Sequence, residues 1–333
     1  MNKGLKIALN VVIFLVIAGF GFFMIRSMSS DQRTPRLGEG QEISTFVSPY
    51  RLVNYSRFHS DILNFDIYNG EAFVVVEGGI IRTIIDSMGG MIIVEDDFAG
   101  HDIRDIFAVN NRTIYLLYPN RIGMYRLGRE VEKIGGWESH NPNSDYRAFA
   151  ITENYIFVTD VGERQVVQYR KDGSVVRFFR SPDRFILPDP EAFDIIAIND
   201  TIFVTNSGRH RIESYTLNGK FITYFGTPGA QAGGFAGCCN PIFIAATPGG
   251  NILTSEKGRP RISSFGRDGS FRMVLFDSQA LGGGTHARRI RVCEENNVFI
   301  ANRNTISVYT FDSTRVERTC SRACAGCTRA CRK

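Results

Sequence analysis

Three stretches of equal length align without gaps: IFVTDVGERQVVQYRKDG (Ile156 to Gly173), IFVTNSGRHRIESYTLNG (Ile202 to Gly219) and ILTSEKGRPRISSFGRDG (Ile252 to Gly269). Each reads as an apolar strand, a turn on Gly162, Gly208 or Gly258, a second strand ending on Tyr169, Tyr215 or Phe265, and a hairpin turn at Gly173, Gly219 or Gly269. Asp-Gly and Asn-Gly supply the positive φ that tight hairpins require. Another strand follows each turn, as in Lys220 to Phe225.

Weaker copies extend the series outward, starting at Ala72, Ile114 and Val298. The equivalent positions Phe73, Tyr115, Phe157, Phe203, Leu253 and Phe299 are separated by 42, 42, 46, 50 and 46 residues. A repeat of that length built from four short strands is the signature of a propeller blade, and six copies predict an all-β, six-bladed β-propeller over residues 42–318. One strand before the first unit (Glu42 to Val47) and one after the last (Thr314 to Arg318) are expected to share a blade, because a closed ring removes exposed strand edges.

Arg211-Ile212 and Arg261-Ile262, each after a turn glycine and before an aromatic, together with FGTPGAQAGGFAGCCNP (Phe225 to Pro241), resemble the NHL repeat over Tyr155 to Phe276. Gln165-Val166 departs from the Arg-Ile element. The resemblance implies an NHL-type propeller. Such propellers include protein- and RNA-binding scaffolds, and six-bladed propellers of similar build include lyases and lactone hydrolases.

The remaining chain brackets this domain. Ile7 to Ile25 is a nineteen-residue run whose only strongly polar member is Asn10. That is close to the ~20 residues that cross a bilayer and longer than the apolar part of a cleaved signal peptide. The run predicts a transmembrane helix over residues 7–25, after a short tail (1–6) and before a polar linker (26–41). Lys3 and Lys6 at its start and the short tail orient it with the N-terminus cytoplasmic and the propeller extracytoplasmic, periplasmic or extracellular. Of the net charge of +5, residues 1–30 supply +3 and the segment from Ser313 supplies +5, so the intervening chain is −3. A domain of that sign does not advertise a nucleic-acid surface. Phosphate-binding glycine loops, a nucleophile elbow and a His-Glu-x-x-His helix are all absent from the sequence.

Ligands of propellers sit where the loops entering the innermost strands converge. Those strands are read as Asn64–Tyr68, Asp105–Asn110, Arg147–Thr152, Asp194–Asn199, Ile242–Thr247 and Arg289–Cys293. Their register places Asp105, Arg147, Asp194 and Arg289 in one ring at the channel mouth, a mixed set suited to ion pairs between blades. His59, His101, Cys238, Cys239 and His286 lie thirteen to fifteen residues ahead of their unit's aligned position, with His140 at seventeen. Imidazole and thiolate are the donors that zinc selects, so these loops are candidate metal ligands, with ordinary loop residues or a Cys238–Cys239 disulfide as the alternative.

The C-terminal segment, 319–333, is rich in Cys and Arg and places Cys320, Cys324, Cys327 and Cys331 at C-x3-C-x2-C-x3-C. On a helix these sulfurs would spread over about 16 Å, too far for one ion. A wrapping loop would suit one zinc or an iron-sulfur cluster, and an oxidising compartment would favour disulfides instead. Its arginines also suit an acidic partner or anionic lipid. The resulting expectation is a membrane-anchored binding or scaffolding module for a protein partner. The alternative is a metalloprotein, either redox-active through the Cys-rich tail or a lyase or hydrolase with a His/Cys site at the mouth.

Overall fold

A computed structural model describes residues 47–77, 79–85, 91–95, 98 and 101–315, with the backbone course alone for 91–95. The segments assigned above to the membrane helix (7–25), to the linker (26–41) and to the Cys-rich tail (319–333) lie outside the described residues. Among the described residues no helix is long and apolar enough to cross a membrane.

Among the described residues twenty-four strands form six four-stranded antiparallel sheets. Blade one begins with the innermost strand Ile62–Tyr68, blade two with Asp105–Asn110, blade three with Tyr146–Ile151, blade four with Ile195–Ile198, blade five with Phe243–Ala246 and blade six with Arg289–Val292. Each innermost strand meets that of the next blade, and the sixth meets the first, so the ring is closed. Apart from the turns Pro190–Ala192 and Ser207–Arg209 and a short helical turn at 313–315, the described chain is strand and loop.

Alternation along each strand sends one set of side chains to each neighbouring blade. Phe73 and Val75 of blade one thus pack against Ile114 and Leu116 of blade two, and Ala148 and Phe157 of blade three against Ile202 and Val204 of blade four. Each fully buried Phe or Ile contributes about 1.5–3 kcal/mol relative to exposure. The hairpin glycines do a second job. Gly219 (φ +71°) and Gly269 (φ +82°) hold backbone that other residues rarely adopt, and a Cβ on either would strike the outer-strand aromatic of the preceding blade, Phe179 at 2.7 Å and Phe225 at 2.5 Å.

Closure uses a different segment from the one expected. The outermost strand of blade six is Tyr50–Arg57, paired antiparallel with Thr305–Phe311. Residues 313–315 form a helical turn where a strand was expected, and Asp312 N–H donates to the Pro49 carbonyl. Physically, Tyr50 supplies the anchor: its ring packs on Phe276 and Phe311, each with centroids 5.7 Å away. Of the strand expected at Glu42 to Val47, all but Val47 lies outside the described residues.

Candidate functional site at the channel mouth

The innermost strands have one unpaired edge, which faces the channel, and carboxylates of one blade cap amides of the next. Asp66 accepts from Ala108 N–H (2.9 Å), Asp105 from Phe149 N–H (3.2 Å) and Asp194 from Ile244 N–H (2.8 Å). Burying three carboxylates together requires compensation. It comes from Arg291, which reaches across from blade six to Asp105 (3.2 Å), Asp66 (3.4 Å) and the Asn64 amide oxygen (3.4 Å). Asn64 in turn donates to Asp105 at 2.8 Å. The three carboxylates and Arg291 line a narrow channel cavity of about 190 Å³.

Burial pushes Asp66 up to about 6, opposed by the neighbouring Arg291 and the Ala108 amide. Burial, reinforced by the charge of Asp105, likewise pushes Asp194 up to about 6. Burial also works against the charge of Arg291, but Asp105 and then Asp66 more than offset it, and its pKa is raised. Asp66, Asn64 and Arg291 were not among the residues singled out from the sequence. The signal was present: Asn64 and Asp66, like Arg289 and Arg291, are two apart on a strand and so face the same side.

The four ring residues named from sequence divide between two levels. Asp105 and Asp194 belong to the channel. Arg147 turns outward and pairs with Glu191 (2.5 Å), in the turn leading into blade four. Arg289 lies with its guanidinium over the Phe243 ring, 4.4 Å from the centroid. Burial lowers its pKa, against the pull of Asp105.

Above the channel a wider cleft of about 990 Å³ opens on the face where the innermost strands enter, bounded by residues of blades six and one and by the loops leading into blades four and five. Its wall includes Asp61, Glu191, Lys257, Arg288, Arg289 and Arg303. Lys257 pairs with Asp189 at 2.5 Å. Arg288 is buried and donates to the carbonyls of His286 (2.5 Å) and Gly283 (2.7 Å). His286 is exposed on the cleft wall.

The expected metal ligands do not converge. His59 and His101 are exposed, the latter edge-on to Tyr118 with centroids 5.9 Å apart. His140 is committed to the hydroxyls of Tyr146 (3.3 Å) and Tyr169 (3.2 Å), and burial lowers its pKa. Among the described residues no three His, Cys, Asp or Glu side chains come together in a way that could hold a metal ion. Cys238 and Cys239 are free thiols with Sγ atoms 2.8 Å apart, Cys238 exposed and Cys239 buried. The Asn240 side chain accepts from Lys257 N–H (2.9 Å) and donates to its carbonyl (3.0 Å), which fastens the dithiol loop beside Lys257. Cys293 is half-buried just past the innermost strand of blade six. Cys320, Cys324, Cys327 and Cys331 lie outside the described residues.

The Arg-Ile element is structural. Arg211 pairs with buried Glu213 and with Asp183 (2.8 Å), and Arg261 with buried Glu256 (2.6 Å). In blade three, Gln165 takes the arginine's place and reaches Asp160 and His140 instead.

No protein-family model matches the chain, and no curated protein matches it. Solved structures match at the level of fold. Virginiamycin B lyase from Staphylococcus aureus is 12% identical, with 78% of this chain and 98% of that one covered and a TM-score of 0.52. A Bacteroides thetaiotaomicron protein of unknown function is 12% identical, covering 78% and 72%, with a TM-score of 0.57. The WD40 propeller domain of Doa1 is 10% identical, covering 80% and 98%, with a TM-score of 0.52. At these identities the likeness extends to the propeller fold and no further.

Proposed function

We propose that this chain is a membrane-anchored, extracytoplasmic NHL-type propeller that serves as a binding module for a protein partner, which docks over the channel mouth. The observation that carries this reading is the 990 Å³ cleft, built on a closed ring that holds its walls in fixed register. A preorganised surface loses little conformational freedom when a partner binds. The membrane segment read at residues 7–25 and the linker at 26–41 would hold that surface near the bilayer.

The test is cross-linking of the full chain in its native membrane, compared with a variant that fills the cleft, Leu63→Arg with Asn302→Arg. The reading expects one partner to be recovered with the natural chain and lost with the variant. Equal recovery sinks the mouth as the docking face. Protease added outside sealed, right-side-out vesicles should remove the propeller, and protection would overturn the orientation.

A second reading, a redox or metal-binding role, is favoured by the 2.8 Å approach of the Cys238 and Cys239 thiols beside Lys257. Elemental analysis and a thiol count on anaerobically purified full chain test it. Stoichiometric zinc or iron would favour this reading over the first, and seven free thiols without metal, still free after incubation with oxidised glutathione, would remove it.

A further inference from the structure

The cations of the mouth cleft are unequally used. Lys257 has Asp189, and Arg147 occupies the cleft's Glu191. Arg288, Arg289 and Arg303 have no carboxylate within ion-pairing distance among the described residues. Arg288 is 6% exposed, and its Nε is buried without a hydrogen-bond partner while its two terminal nitrogens serve loop carbonyls. The Arg289 guanidinium makes no hydrogen bond among the described residues, although its stacking on Phe243 fixes its plane. Arg303 is exposed in a turn held at φ +51°.

The acids cannot discharge this excess. Asp189 and Glu191 are already paired, and Asp105 and Asp194 below are engaged by Arg291 and by backbone amides. That leaves Asp61 at the rim, exposed. A cationic wall has therefore been built into a domain whose own charge is negative.

We propose that this wall is a carboxylate site. Arg289, with Arg288 and Arg303 beside it, receives an acidic side chain or chain terminus of the docked protein segment, so the proposal rests on the binding reading above and specifies its ligand chemistry. A planar guanidinium presents paired donors that match a carboxylate edge-on, and stacking on an aromatic face leaves that edge available. A cleft of this volume lies in the range that takes a ligand several side chains in size.

The experiment titrates the purified full chain with a fluorescein-labelled hexaglutamate peptide, with hexaglutamine as the neutral control and inorganic phosphate as a competitor. Hexaglutamate is expected to bind, to weaken at least tenfold between 50 and 500 mM salt, and to weaken at least tenfold in Arg289→Gln. Arg303→Glu, at an exposed position with no packing role, should weaken it similarly, and circular dichroism of both variants checks that the propeller is intact. Equal binding of hexaglutamine, or unchanged affinity in both variants, overturns the proposal. Phosphate binding as tightly as hexaglutamate through Arg289 also overturns it, because the source would then be a small anion. The two readings separate cleanly. Loss of peptide binding in both variants while partner cross-linking survives the cleft-filling change keeps the carboxylate site and rejects mouth docking. Cleft-dependent cross-linking with unchanged peptide binding does the reverse.

Discussion

Arg289 and Arg291 stand two residues apart on one strand, Arg289 on the wall of the cleft and Arg291 in the channel below, and they live in different chemical company. Arg291 is surrounded by Asp66, Asp105 and Asn64, so its charge is consumed in holding blades six, one and two together. Arg289, two residues nearer the mouth, rests on Phe243 and spends none of its guanidinium donors on the described protein. The difference separates a charge that the fold uses from one that the fold leaves over. Unused donors beside a cleft are where recognition chemistry is to be sought, whereas the satisfied network below explains the ring's cohesion.

The largest effect is expected at Arg291. Arg291→Met should cost about 3 kcal/mol in urea unfolding, because it strands Asp66 and Asp105 in a low-dielectric channel. A loss below about 1 kcal/mol would mean that water replaces the guanidinium. Arg289→Gln should leave stability within about 0.5 kcal/mol while weakening carboxylate binding at least tenfold. If instead it destabilises as Arg291→Met does, the two arginines are both structural and the contrast fails.

Acid titration sharpens the channel half. The folded pKa values of Asp66 and Asp194 lie above their unfolded values, so the folded state binds protons more tightly between pH 6 and 4. Stability should therefore rise as pH falls from 7 to about 4.5, on the order of 1 kcal/mol per carboxyl after solvent screening. Asp194→Asn keeps an acceptor for the Ile244 amide and should remove about half of that rise, as read by melting temperature across the pH series. His140 acts in the opposite sense, since its lowered pKa makes protonation below its unfolded value of about 6.5 destabilising, and His140→Gln separates the two contributions. The smallest effect belongs to the outer surface. Arg126 and Glu132 pair at 2.7 Å with more than half of each side chain exposed, and Glu132→Gln should change stability by no more than about 0.5 kcal/mol.

Much of this was readable from the chain. The six innermost strands appear within a residue or two of their expected starts, because β-branched runs between turn glycines leave little choice of register. Asp105, Asp194 and Arg289 were legible in position from their place at strand entry but not in level, since the two carboxylates line the channel and Arg289 the cleft above it. Arg147 was legible in position but not in direction, since its partner Glu191 sits 44 residues on and only folding brings them together. Asp66 and Arg291 escaped notice although strand periodicity pairs them with Asn64 and Arg289. The closing strand escaped because YRLVNYSR has mixed polarity and its outer face stays exposed at Leu52, Val53 and Tyr55. Nothing in the spacing of His59, His101 and His286 could reveal that no three metal-ligating side chains come together among the described residues.

The closing strand also sets a clock. Tyr50 pairs with Phe311, so the first strand of the propeller to leave the ribosome is the last to find its partner. At about 5–20 residues per second the intervening chain takes roughly 13 to 50 seconds to synthesise. For that interval a strand bearing Leu52, Val53 and Tyr55 waits without its ladder, and blades one to five must assemble as an open ring. Whatever shields that strand during synthesis governs the yield of folded propeller as much as any contact within it.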